Sequence, residues 1–262
     1  MDWLRAVQAL RECREGHVIV TLARVRGHSP RDGGAKMVVS RDDTWGTIGG
    51  GNLEATAINR ARAMLESGEA APELMTLNLS DKAPAEYGVQ CCGGEVTMLL
   101  EPIRTVPSVA IFGMGHVGHE LARILSRHDL TLALIDSRED AVADDGLAVV
   151  RDGQATISVH HAPVPESVLL LLPEGTHVFI MTHDHAEDLA LCDLALRTPR
   201  IGPIGLIGSS AKWARFRKRL IEAGNAPERV DSIQTPIGTP SIHAKEPAAI
   251  AVSVAAGLLS SF

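Results

Sequence analysis

The stretch V109-A-I-F-G-M-G-H-V-G-H-E-L-A-R123 decides the fold of the second half of the chain. A short apolar run ends at Gly113, and the residues after Gly115 take up helical spacing, so Gly113, Gly115 and Gly118 fall between a strand and a helix. Each glycine has its own task there. The first permits a tight turn, the second lets backbone N–H groups approach a phosphate, and the third lets helix and strand pack closely. The helix start adds positive potential. Asp136 closes the next apolar run, T131-L-A-L-I-D136, at the spacing of a carboxylate that reads a ribose hydroxyl.

Outward from this stretch the same rhythm continues. Apolar runs at H177-V-F-I-M-T182 and I204-G-L-I207 alternate with helical segments, the pattern of a parallel sheet built by crossover connections. T182-H-D-H-A-E-D188 follows one of these strands and opens a helix, which places it at the carboxyl edge of the sheet, where open α/β folds bind ligands. His183 and His185 are candidates to ligate a metal or donate to an anion, although no third ligand is evident. Asp184 with Glu187 also fits a helix capping box, and both readings stand. I207-G-S-S-A-K-W213 sets Gly208, Ser209 and Ser210 at a helix start suited to an anion, with Lys212 one turn further. The tail E246-P-A-A-I-A-V-S-V-A-A-G-L-L259 reads as a buried terminal helix.

Nearly half the chain precedes the glycine turn. Its apolar runs at H17-V-I-V-T-L-A-R24, K36-M-V-V-S40, T44-W-G-T-I48, L74-M-T-L-N-L79 and E95-V-T-M-L-L-E101 read as strands, with helices near residues 2–14 and 52–66. Gly49, Gly50 and Gly51 lie between a strand and a helix that carries Asn52 and Glu54; three glycines in succession imply that something approaches the backbone closely. Cys91 and Cys92, followed by Gly93 and Gly94, are too compact for a zinc cage but offer soft sulfur in a glycine-flanked loop. E101-P-I-R-T-V-P-S108, with two prolines, is the expected linker, giving domains 1–104 and 105–262. The fold class expected is α/β: an N-terminal α/β accessory domain, then a C-terminal Rossmann-like parallel-sheet domain.

Composition narrows the classes of function. Of 262 residues, 45% are hydrophobic, 22% charged and only 3% aromatic, so the core must be built from Val, Ile, Leu and Ala. A net charge of -7 argues against a dedicated nucleic-acid binder, whose affinity comes from neutralising phosphates. No signal peptide and no span for a membrane is legible, so a cytoplasmic location and free thiols are expected.

Together, G27-H-S-P-R-D-G-G-A-K-M-V-V39, W45-G-T-I-G-G-G-N-L-E54, Q90-C-C-G-G94, I111-F-G-M-G-H-V-G-H119, T182-H-D-H185 and I204-G-L-I-G-S-S-A-K-W-A-R-F216 resemble the xanthine dehydrogenase accessory factors (XdhC/CoxI), over nearly the whole chain and in order. The resemblance implies a homodimeric carrier of molybdenum cofactor (molybdopterin). It also implies sulfuration of the cofactor with a cysteine desulfurase and delivery to xanthine dehydrogenase. The residues expected to bind the cofactor are Gly49, Gly50, Gly51, Asn52 and Glu54 in the first half, and Gly113, Gly115, His116, Gly118, Asp136, His183, His185, Gly208, Ser209 and Ser210 in the second. Cys91 or Cys92 would meet the metal or the incoming sulfur. Many relatives carry His after the three glycines; Asn52 here can hydrogen-bond a pterin edge or a phosphate but not transfer a proton.

The glycine fingerprint and Asp136 equally fit an NAD(P)-dependent oxidoreductase, with His183 or His185 as proton donor, or a nucleotide-sensing module. No constellation of base, orienting partner and substrate clamp supports the first of these.

Overall fold

The computed structural model describes residues 2–79, 93–239, 241–242 and 245–262, without the side chains of 144 and 145. The chain divides into two compact units, Met1–Val106 and Pro107–Phe262. Cys91 and Cys92 lie outside the described residues.

The first unit runs α1 (Trp3–Glu12), β1 (His17–Arg26), β2 (Lys36–Val39), β3 (Thr44–Gly46), α2 (Gly51–Ser67), β4 (Glu73–Asn78) and β5 (Glu95–Ile103). Its sheet has the order β3-β2-β1-β5-β4, and every pairing is antiparallel. A Val/Ile/Leu composition therefore marks burial on both faces rather than parallel pairing. Val18, Val20, Leu22, Met37 and Val39 pack beneath α2 with Leu53, Ala57, Ala61 and Met64. Val38 and Ile19 point the other way, onto Ala6 and Leu10 of α1. Period-two alternation along β1 and β2 thus feeds two cores.

The second unit runs β6 (Ser108–Phe112), α3 (His116–Leu125), β7 (Thr131–Asp136), a 3-10 turn (Asp140–Val142), α4 (Asp144–Arg151), β8 (Thr156–His161), α5 (Glu166–Leu169), β9 (His177–Ile180), α6 (His185–Arg197), β10 (Ile204–Leu206), α7 (Ser210–Glu222), α8 (Pro227–Asp231) and α9 (Pro247–Leu259). Its sheet is parallel, in the order β10-β9-β6-β7-β8. Strand β8 escaped the sequence reading. T156-I-S-V-H-H161 is a half-exposed edge strand ending in two histidines, and it lacks the continuous apolar run that marks the buried strands.

Val109 and Ile111 of β6 face a core completed by Leu121 and Leu125 of α3 and Val254 and Leu258 of α9, while Ala110 and Phe112 face α6 and α7 on the opposite side. Each large apolar side chain so buried contributes about 1.5–3 kcal/mol. The terminal helix is a core helix. Because β6 is central and the chain turns left to β7 and right to β9, the strand order reverses between β6 and β9, which is where such sheets open a crevice at their carboxyl ends. Among the described residues no helix is long and apolar enough to cross a membrane.

Two helices of the second face are joined by a buried ion pair. Lys212 of α7, 8% exposed at its side chain, reaches Asp188 of α6, which is fully buried, at 2.5 Å. It also donates to the Ile207 carbonyl at 2.8 Å. Asp188 meanwhile accepts from the Thr182 amide and hydroxyl at 3.0 and 2.8 Å. Replacing Lys212 by Met leaves a buried carboxylate without its cation; the expected loss is about 3–5 kcal/mol. Urea unfolding followed through Trp213 on the same helix checks this, and K212M/D188L is expected to recover part of the loss.

Candidate functional site

Four sequence-predicted stretches lie at the carboxyl ends of the parallel strands. The turn after β6 is held open by necessity. Gly113 has φ +107°, and a Cβ there would lie 2.3 Å from the Met181 carbonyl, so only glycine lets the exits of β6 and β9 pass. A Cβ on Gly118 would lie 2.2 Å from the Gly113 carbonyl, which fixes the close approach of α3 to the strand. Gly115 differs from both. Its φ is -85°, and no heavy atom stands within 4 Å of where a Cβ would be. It borders a cleft of about 890 Å³ lined by Met114, His116, His119, Arg123 and Arg138. The first and third glycines serve the fold; the second leaves open the space a phosphate needs. In that respect the residues fit the phosphate end of an anionic cofactor. His116, the first residue of α3, is exposed beside it.

Asp136 sits at the end of β7, as the sequence predicts, but its carboxylate faces inward. Oδ2 accepts from the Met114 amide at 2.7 Å and from Arg138 Nη2 at 3.0 Å, and Oδ1 accepts from the Arg138 amide at 2.9 Å and Arg138 Nε at 3.0 Å. Only 1% of the side chain is exposed. Burial alone would raise its pKa; the Arg138 fork and the two amides outweigh burial and hold the carboxyl below the usual carboxylate range.

The run after β9 divides between structure and surface. Asp184 caps α6, accepting from the Ala186 and Glu187 amides at 2.5 and 3.2 Å. His183 and His185 are exposed, and the His185 ring lies edge-on to Phe216 with centroids 6.2 Å apart. Glu187 turns back toward the end of β7, where Ser137 hydrogen-bonds to it, and burial pushes its carboxyl above the usual range. Among the described residues no three His, Cys, Asp or Glu side chains come together as a metal site.

After β10, Ser209 caps α7 by accepting from the Lys212 amide at 3.2 Å, and Ser210, the first helical residue, is exposed. Lys212 does not point to a ligand from this helix start. Its stem passes Gly208, where a Cβ would lie 2.8 Å from Lys212 Cδ, on the way to Asp188. Asp188 and Arg138 are the residues that sequence pattern missed, and the side chain of Glu187, read as part of a capping box, pairs instead with Ser137. The signal for Asp188 lay one helical turn beyond the capping residue, but nothing in the pattern indicates that it would meet Lys212.

In the first unit the three glycine-rich stretches converge. A Cβ on Gly49 would strike the Pro30 ring at 2.8 Å, and one on Gly94 would lie 2.1 Å from the His28 carbonyl, so the loop of residues 27–34 is gripped from two sides. Gly49, Gly50 and Gly51 have φ of +131°, +77° and +61°. Their turn wraps the chain's own carboxylate. Glu54 Oε1 accepts from the amides of Ile48, Gly49 and Gly50 at 3.0, 3.1 and 2.8 Å and from the Thr47 hydroxyl. Asn52 is buried at the start of α2, and its carbonyl accepts from the Thr56 hydroxyl at 2.8 Å. Burial opposes ionisation of Glu54, but the Thr47 hydroxyl and the three amides overcome it and lower the pKa.

Two outcomes follow from this geometry. Gly113→Ala is expected to cost at least about 2 kcal/mol, and Gly115→Ala less than about 1 kcal/mol, in urea unfolding of the two variants. A lowered folded-state pKa means that the Glu54 contribution is present above the unfolded pKa and lost as pH falls through the folded one. Glu54→Gln should therefore melt below the wild type at neutral pH, by an amount corresponding to about 1.5–3 kcal/mol, with the two curves converging in acid.

Family models match most of the described chain: residues 109–258 match the XdhC Rossmann domain, and residues 10–78 match the XdhC and CoxI family. The chain is 25% identical over 234 residues to YqeB, an uncharacterised protein of Escherichia coli K12, with 89% of this chain and 41% of that protein covered. It thus spans about two fifths of that relative's length. It is 26% identical over 258 residues to PaoD of the same organism, a molybdenum cofactor insertion chaperone, with 89% of this chain and 79% of that one covered. A solved xanthine dehydrogenase structure from Bacillus halodurans aligns with a TM-score of 0.48 at 20% identity, covering 99% of this chain and 95% of that one. The Escherichia coli tRNA N6-threonylcarbamoyladenosine dehydratase aligns with a TM-score of 0.40 at 14% identity, covering 59% and 85%. Since the Rossmann-domain match alone spans more than half of the residues, and the accessory-domain match covers the glycine loop ahead of it, the chain belongs to the XdhC family.

Proposed function

We propose that this protein is a non-catalytic accessory factor in molybdenum cofactor maturation. It holds the cofactor by its phosphate at the turn of Gly113, Gly115 and Gly118 and passes it to a molybdoenzyme of the xanthine dehydrogenase type. Membership of the XdhC family and likeness to a molybdenum cofactor insertion chaperone support the role. The observation that carries it is the open position at Gly115 beside the cleft, set against the sealed carboxylate of Asp136. The cleft beside Gly115 has room for a phosphate end, whereas the carboxylate that would read the ribose of NAD is engaged by Arg138 and two amides. This weighs against the NAD(P)-dependent oxidoreductase and the nucleotide sensor.

When bound, the cofactor supplies a pyranopterin dithiolene whose molybdenum accepts a terminal sulfur. The chain's own part is to bind and orient it. The α3 amides and His116 would hold the anionic end, and Ser209 and Ser210, exposed at a second helix start, would add hydroxyls. Cys91 and Cys92 would meet the molybdenum or the sulfur brought by a cysteine desulfurase, soft sulfur suiting either task. Action as a homodimer belongs to the same reading.

Purification from molybdate-supplied cells, with metal analysis and fluorescence of the oxidised pterin, tests it. Molybdenum and pterin near one per chain are expected, falling sharply in Gly115→Leu without loss of fold. Bound NAD without pterin would overturn the proposal. In Cys91→Ser/Cys92→Ser, loading is expected to persist while activation of the apo-dehydrogenase is lost; unchanged activation removes both cysteines from the mechanism.

A further inference from the structure

The second unit has the strand order and glycine turn of a dinucleotide-binding fold, yet the carboxylate at the end of β7 is not available to a nucleotide. Two carboxylate oxygens offer about four lone-pair sites in all. In Asp136 all four are used, two donors to each oxygen, and three of the four donors belong to Arg138. A ribose diol could reach the carboxylate only by displacing the charged fork of Arg138 with neutral hydroxyls, exchanging stronger hydrogen bonds for weaker ones. Asp140 and Glu187 add to the negative field of Asp136 around the guanidinium and favour its charged form.

Arg138 is nevertheless not buried. Its side chain is 39% exposed and lines the same cleft as Gly115, and its Nη1 group takes no part in the bonds to Asp136. The fork is therefore preorganised, with one edge backed by a carboxylate and the Nη1 edge left out of that pairing on a residue that lines the cleft. Such an edge suits a phosphate oxygen and cannot accept from a hydroxyl.

We propose that Arg138 is the specificity-determining residue of this cleft: by closing over Asp136 it turns away ligands that present a ribose diol to the end of β7, and it favours ligands that end in a phosphomonoester at the glycine turn. The exclusion of ribose stands on the geometry alone. Identification of the favoured ligand as the monophosphate form of molybdenum cofactor, rather than a nucleotide-extended form, rests on the function proposed above.

Titration of the full chain with NADH, followed by nucleotide fluorescence, tests the gate. Arg138→Ser frees the carboxylate and is expected to raise NADH affinity by about tenfold or more over the wild type. The gain should vanish with NADH lacking the adenosine 2′-hydroxyl, and in Asp136→Asn/Arg138→Ser, which has no carboxylate to read it. Should Arg138→Ser fail to fold by thermal melting, Arg138→Lys keeps the charge, loses the fork and is expected to show a smaller gain of the same kind. Equal NADH affinity in the wild type and the folded variant, or a wild-type affinity that depends on the 2′-hydroxyl, overturns the proposal. Pterin and molybdenum are measured separately on the same preparations. A wild type without pterin counts against the carrier reading and leaves the gate to the titration; pterin carried with a nucleotide extension overturns the monophosphate preference alone.

Discussion

The backbone contact between Gly113 and Met181 is the constraint on which the second unit depends. The exits of β6 and β9 pass so closely that a single methyl group at Gly113 would lie 2.3 Å from a carbonyl oxygen. The same turn aims α3 back across the sheet, and its second contact, Gly118 against the Gly113 carbonyl, sets how near the helix lies. From these two contacts come the alignment of Leu121 and Leu125 with the central strand and the place of α9 against them. Gly115 belongs to the same motif but bears none of this packing, and the space beside it stays open.

Three carboxylates of this protein are turned inward or half-buried against their own chain. Asp136 is consumed by Arg138 and two amides, Asp188 by Lys212 and Thr182, and Glu54 by a hydroxyl and three amides of the glycine loop. Buried carboxylates are tolerated only when their oxygens are satisfied, and each of these three is satisfied by groups from a loop that would otherwise have unpaired donors. A carboxylate at a loop that looks built for a ligand is, in each case, the internal partner of that loop. Asp136 and Glu54, two of the residues expected to bind the cofactor, are thus engaged with their own loops.

At the carboxyl edge of the parallel sheet His116, His183, His185, Ser209 and Ser210 face outward, Gly115 and Arg138 are partly exposed, and the acids Glu139, Asp140 and Asp184 are exposed beside them. The starts of α3 and α7 add backbone amides to that edge.

Much of the fold was legible in the chain itself. Val109–Phe112, Gly113, Gly115, Gly118 and Asp136 announced the strand, turn, helix and next strand, because each requirement there is local: a continuous apolar run, a positive φ at Gly113, a helix start. Asp184 as a helix cap was equally local, since the amides that donate to it lie two and three residues away. Strand β8 was not legible, because an edge strand is half exposed and its residues need not be apolar. Nor could residue order show that the first sheet is antiparallel; strands buried on both faces read alike whichever way they pair. Above all, local pattern could not tell a carboxylate that faces a ligand from one that faces its own chain. Asp136 and Arg138 are two residues apart, but whether the guanidinium swings outward or folds back onto the carboxylate is decided by the Met114 amide and the acids around it. Only the assembled sheet brings those groups together.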